Sequence, residues 1–180
     1  LNGKTVGNLN IHSNWDNENK RIALDFFLQK GIVKTIDANG YFSPSNDSIL
    51  ILGKFNNFLL NDISNIFKGT LDNLKGYGNG NVSITGTYKE PVFNGNLFLK
   101  KMRFDIKYLK TAYSFSGNLN LIKNRIKFNN IQLFDTLGNF AFMNGYFNIA
   151  DFLNYNYDFN LDFNNLLLFD TKYSDNDIYY

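Results

Sequence analysis

The segment Tyr155 to Asn164, YNYDFNLDFN, constrains this chain more tightly than any other. Tyr157, Phe159, Leu161 and Phe163 alternate without a break with Asn156, Asp158, Asn160, Asp162 and Asn164. Successive side chains of a strand point to opposite faces, so this is a strand with one apolar and one polar face. Gly76 to Leu99, GYGNGNVSITGTYKEPVFNGNLFL, carries the same rhythm twice. Val82, Ile84, Gly86 and Tyr88 alternate with Asn81, Ser83, Thr85 and Thr87, Lys89-Glu90-Pro91 interrupts, and Gly95, Leu97 and Leu99 resume. Proline has no N–H to give to a ladder. The glycines at 76, 78, 80, 86 and 95 mark places where backbones approach closely or a strand bends.

The rest of the chain varies this unit. Gly7, Leu9 and Ile11 form a weak row, and Ile22, Leu24, Phe26 and Leu28 a clear one ended by Lys30-Gly31. Ile36 to Phe42 is a short strand stopped by Ser43-Pro44-Ser45-Asn46-Asp47, and another starts at Ile49 and ends near Gly53. Phe115, Gly117, Leu119 and Leu121 are answered across Lys123-Asn124 by Ile126 and Phe128. The doubled Asn129-Asn130 reads as a β-bulge before Ile131 and Leu133. Asp135 to Asn139 is a turn by composition, Phe140 to Met143 is apolar on both faces, and Leu166 to Phe169 continues the last strand. Leu59, Leu60, Ile63, Ile66 and Phe67 instead have helical spacing, which predicts one short helix near 58–68, ended by Gly69. The sum is an all-β chain of about ten to thirteen strands, a single domain over 1–180. At about 4.8 Å per strand a dozen span about 50–60 Å, the size of an elongated curled sheet or solenoid-like groove.

The excluded chemistry narrows the function. Eighteen Lys and Arg against 16 Asp and Glu leave a net charge of +2 with no basic stripe, which argues against nucleic acid. Without cysteine there are no disulfides and no thiolate-ligated metals. His12 is the only histidine, in a polar-alternating strand with no nucleophile elbow beside it. Asp158 and Asp162 share a strand face about 13 Å apart, too far for a glycosidase pair. GYGNG at 76–80 lacks the Lys-Ser/Thr and the helix of a phosphate loop and reads as a turn. No enzyme, cofactor or metal site is expected. No apolar run is long enough to span a bilayer as a helix. The 31 Asn and 30 Phe and Tyr fit biased composition, and also polar ladders on one strand face with aromatics on the other.

In order, the chain has a short helix at Leu59 to Phe67, then Gly69, Leu74 and Gly76, then GNVSITGTYKEPVFNGNLFL. The row Phe115 to Leu121, a return strand ending Asp135-Thr136-Leu137-Gly138, and FNLDFNNLLLFDTKYSDNDIYY follow. This order resembles the C-terminal region of the TamB family (translocation and assembly module) of the Bacteroidota type, among the AsmA-like bridge proteins. The match rests on Gly86-Thr87, Pro91 and Gly95, on Asn165 to Thr171 with Asp175-Asn176-Asp177 and Tyr179-Tyr180, and on Gly76, Asp135 and Gly138 as structural positions; it covers at least 40–180.

The resemblance implies a fragment of a longer periplasmic chain anchored in the inner membrane by an N-terminal helix absent here. It also implies a curled β-groove carrying phospholipid acyl chains between membranes, and help to outer-membrane protein assembly and secretion with a barrel partner of the TamA/BamA type. The candidate liners are Val82, Ile84, Leu97, Leu99, Phe115, Leu119, Leu121, Ile126, Phe128, Phe159, Leu161 and Phe163, for which ordinary core packing is the competing reading. Two other functions fit one-sided strands. A transmembrane barrel piece would need strands of about 9–11 residues and aromatic girdles, and the runs read as shorter than that. An extracellular sugar-binding solenoid would need exposed tyrosine rows.

Overall fold

The computed structural model describes residues 6–67, 71–149 and 156–172. Among these residues ten strands form one antiparallel sheet in which each strand pairs with its neighbours in sequence. They are β1 (Asn8–Asp16), β2 (Arg21–Lys30), β3 (Val33–Ser43), β4 (Ser48–Leu59), β5 (Asp72–Gly86), β6 (Pro91–Ile106), β7 (Thr111–Ile122), β8 (Arg125–Phe134), β9 (Phe140–Asn148) and β10 (Asn156–Asn164). β1 and β10 are the edges, so the sheet stays open instead of closing as a barrel. The fold is all-β, as the alternation predicted.

Pairing sends one apolar set to the same side throughout. In one row Val82 faces Gly95, which faces Leu121; Leu121 faces Ile126, Ile126 faces Phe147, and Phe147 faces Tyr157. On the other half Leu9, Leu28 and Ile36 share that side, as do Ile51 and Ile84. Three strands keep this phase across an extra residue, with register shifts at Phe55/Phe58, Leu99/Met102 and Phe128/Ile131. Each bulge is a doubled polar pair whose second member has positive φ: Asn57 (48°), Lys101 (53°) and Asn130 (52°). The N–H freed at each is taken by a side chain of the following strand: Asn79 Oδ1 at 2.9 Å, Ser116 Oγ at 2.9 Å and Asn144 Oδ1 at 2.7 Å. Bulges bend strands and raise twist, so three of them bend this sheet.

Several expectations need correction. The helix is a 3₁₀ helix at Leu60–Phe67, with Phe58 and Leu59 still in β4; Gly69 lies outside the described residues. A second 3₁₀ turn, Lys107–Leu109, joins β6 to β7. GYGNG is strand interior in β5, because Gly76 and Gly80 let the backbone pass close to β6. Strands run from 9 to 16 residues, longer than read, because bulges hide their continuity from simple alternation. Aromatics occupy both faces: Phe27, Tyr41 and Tyr146 lie on the polar side beneath Lys34 at 4.2 Å, Arg21 at 4.4 Å and Arg125 at 4.8 Å. At 140–143 the register is settled, with Ala141 and Met143 on the apolar side and Phe140 and Phe142 on the other.

Leu166 to Phe169 does not extend β10. After Asn165, at φ 58°, the chain leaves the sheet as a strap over residues 165–170. Alternating strand direction puts this strap, the 3₁₀ helix and the β6–β7 and β8–β9 connections at one end. Leu60, Leu74, Leu99, Tyr113, Phe115, Leu119, Ile131, Leu133, Ala141, Met143 and Leu166 close there into one core, with Ile63 and Phe67 packed against it. Burying each large apolar side chain contributes about 1.5–3 kcal/mol.

Candidate functional site

The candidate site is the apolar face. All twelve expected liners lie on it, but at different depths. Leu99, Phe115, Leu119 and Leu121 are buried as core; Val82, Ile84, Leu97, Ile126, Phe128 and Leu161 are half-buried; Phe159 and Phe163 are exposed on β10. Gly145 of β9 sits between Phe128 and Phe159. Because it has no side chain, the two rings meet edge to face over it with centroids 5.3 Å apart. A Cβ there would lie 2.0 Å from the Asp158 carbonyl oxygen, so the contact requires glycine. The face is therefore filled toward one end and open toward the edges, where Leu9, Ile11 and Trp15 of β1 are also exposed. No large side chain among the described residues is completely sealed from solvent.

The structural positions of the motif fall where backbone demands them. Gly76 and Gly95 face the neighbouring strand, and a Cβ on Gly95 would come 2.2 Å from the Asn81 carbonyl oxygen. Gly86 and Pro91 pair across the β5–β6 hairpin, with proline at a strand start where its missing N–H costs least. Gly138 occupies the β8–β9 turn at φ 89°.

Asp135 does more than turn the chain. Its carboxylate accepts hydrogen bonds from the N–H groups of Leu137 (2.8 Å) and Asn139 (2.9 Å), from the Asn139 amide (3.2 Å) and from the strap N–H of Leu167 (2.9 Å). Burial alone would raise its pKa, but these donors outweigh that and hold it below the usual carboxylate value. The Tyr113 hydroxyl donates to the strap carbonyls of Leu167 (2.7 Å) and Leu168 (3.2 Å), and burial pushes this phenol up, keeping it a donor. Asp170 N–H adds a bond to the Leu109 carbonyl at 3.0 Å. The strap is thus clasped over the apolar face by partners on two connections, Asp135 and Leu109, and by Tyr113 of β7.

His12 is exposed on the polar side of β1, opposite Asp25. No group of three His, Cys, Asp or Glu among the described residues could hold a metal. Two open hollows lie on the polar side. One of about 480 Å³ is lined by Lys101, Arg103, Ser114 and Phe134; the other, about 510 Å³, by Asp37, Lys54, Asn81 and Asn96. Among the described residues the exposed tyrosines 77, 88, 108 and 157 are scattered over β5, the β5–β6 turn, the β6–β7 turn and β10 and form no row. Among the described residues no helix is long and apolar enough to cross a membrane. No family model, no curated protein and no solved structure matches the chain.

Proposed function

We propose that this chain is a non-enzymatic segment of a TamB-like periplasmic bridge protein that guides phospholipid acyl chains along its apolar face. In this reading it serves outer-membrane biogenesis, and a barrel of the TamA/BamA type is its outer-membrane partner. One observation carries the proposal: a single apolar face continues across ten neighbouring strands and is only partly filled by the chain itself. Contiguous apolar surface of this kind is rare on a solitary domain, and each acyl CH₂ it removed from water would contribute about 0.8 kcal/mol. Photo-crosslinkers at the half-buried Ile126 and Leu161 should capture several times more phospholipid in cells than crosslinkers at Lys127 and Asn160 on the polar side. Equal capture at the two pairs would refute acyl carriage.

The strand lengths favour a second reading, a piece of a transmembrane sheet, since 9–16 residues suffice to cross an outer membrane. Against it, the 3₁₀ helix and the strap lie on the apolar face, the side such a sheet turns to lipid. Partition of the isolated chain into buffer without detergent supports the groove; partition only into detergent supports the barrel.

A further inference from the structure

The two ends of the sheet differ in what their connections present to solvent. At the strap end, Ile32 in the β2–β3 turn is 97% exposed and Leu137 in the β8–β9 turn 76% exposed. Tyr108 of the β6–β7 turn and Leu168 and Phe169 of the strap, at the same end, are about half exposed. Two of these connections repeat one composition, Lys30-Gly31-Ile32-Val33-Lys34 and Lys107-Tyr108-Leu109-Lys110, apolar residues between lysines with no acid. At the other end the described turns Asp16 to Lys20, Ser43 to Ser48 and Lys123-Asn124 are polar; the large apolar residues exposed there are Trp15, Ile122 and Tyr157 on strands and Tyr88 in a turn, its ring edge-on to Phe42 at 6.3 Å.

Single exposed apolar residues need no explanation, but Ile32 and Leu137 contribute almost nothing to the core and stand at the tips of turns on one end. The acids at that end are largely engaged: Asp62 reaches Lys30 at 3.9 Å, Asp105 reaches Arg103 at 3.9 Å, and Asp135 is the clasp of the strap. Asp72 and Asp170 also lie there, and Lys34 has Asp37 at 3.6 Å. Apolar residues between lysines, as Ile32 lies between Lys30 and Lys34 and Tyr108-Leu109 between Lys107 and Lys110, suit a bilayer interface, where the apolar side chain enters the acyl boundary and the ammonium meets anionic headgroups. We propose that this end of the sheet docks on an anionic lipid surface, with Ile32 and Leu137 inserted and Lys34 and Lys107 at the headgroups. The contact needs no ligand on the apolar face, so it stands independently of acyl carriage.

Flotation of the chain with phosphatidylglycerol–phosphatidylcholine vesicles tests this. The unaltered chain should float with these vesicles and far less with phosphatidylcholine alone. Ile32→Ser combined with Leu137→Ser should weaken binding about tenfold or more, and Lys107→Gln about fivefold, on anionic vesicles only. Tyr88→Ser at the opposite end should leave binding unchanged, and all variants should melt with the unaltered chain. Absence of binding by the unaltered chain, full binding by the double variant, or an equal loss in Tyr88→Ser would each overturn the proposal.

Discussion

The strands β5 to β9 and the strands β1 to β4 share one alternating pattern, yet only the first group has a closed core. Its apolar side holds Leu99, Tyr113, Phe115, Leu119, Leu133 and Met143, all buried. In β1 to β4 the buried residues are Thr35, Ala38 and Phe58, while rows such as Ile22, Leu24 and Phe26 stay half-exposed. Alternation decides which way a side chain points; what lies across from it decides whether it is buried. The 3₁₀ helix and the strap supply that cover for one half and leave the other accessible. One half thus holds the shape while the apolar face of the other stays accessible.

That contrast can be broken most directly by truncation. Leu119→Ala should cost about 2–5 kcal/mol in urea unfolding, whereas Leu24→Ala, half-exposed on β2, should cost about 1 kcal/mol or less. Equal costs would mean that both halves are sealed alike. Tyr113→Phe removes only the hydroxyl clasp on the strap and should cost about 0.5–1.5 kcal/mol, with faster amide exchange at 166–170 and no change in β1 to β4. The smallest effect is a response to acid. Asp16, held at about 2 chiefly by the Asn19 backbone and side chain, and Asp135 both have folded pKa values below the reference of 3.8. Their stabilisation is therefore complete above about pH 4 and fades as pH falls through the lowered values. Asp135→Asn should flatten this acid limb near the strap, and exchange at Leu167 measured against pH checks it.

Much of this was legible in the residues. The strands, their faces, the Asp135 to Asn139 turn and the Asn129-Asn130 bulge all follow from period-two alternation and turn chemistry. Asn56-Asn57 and Lys100-Lys101 carry the same doubled-polar signal between apolar residues three apart, and were readable by the same rule. The strap was not. Asn-Leu-Leu-Leu-Phe has the composition of a continuing strand, and what pulls it off the sheet is Asp135, 32 residues earlier, together with Tyr113. Such partners are invisible to a local window. Phe140 to Met143 resisted for a related reason, since Phe140, Phe142 and Phe134 form their own ring cluster on the polar side, with centroids 5.5 and 6.1 Å apart.

The three bulges have a consequence for how such a sheet can change over generations. Phe55 and Phe58, Leu99 and Met102, and Phe128 and Ile131 stand three apart, so losing one intervening residue leaves each pair two apart and still on a common side. A one-codon deletion at Asn57, Lys101 or Asn130 would straighten its strand without turning the lipophilic surface inside out. Elsewhere in the same strands the identical deletion would invert every residue beyond it. Curvature in this molecule can therefore drift by single-residue steps while polarity is kept.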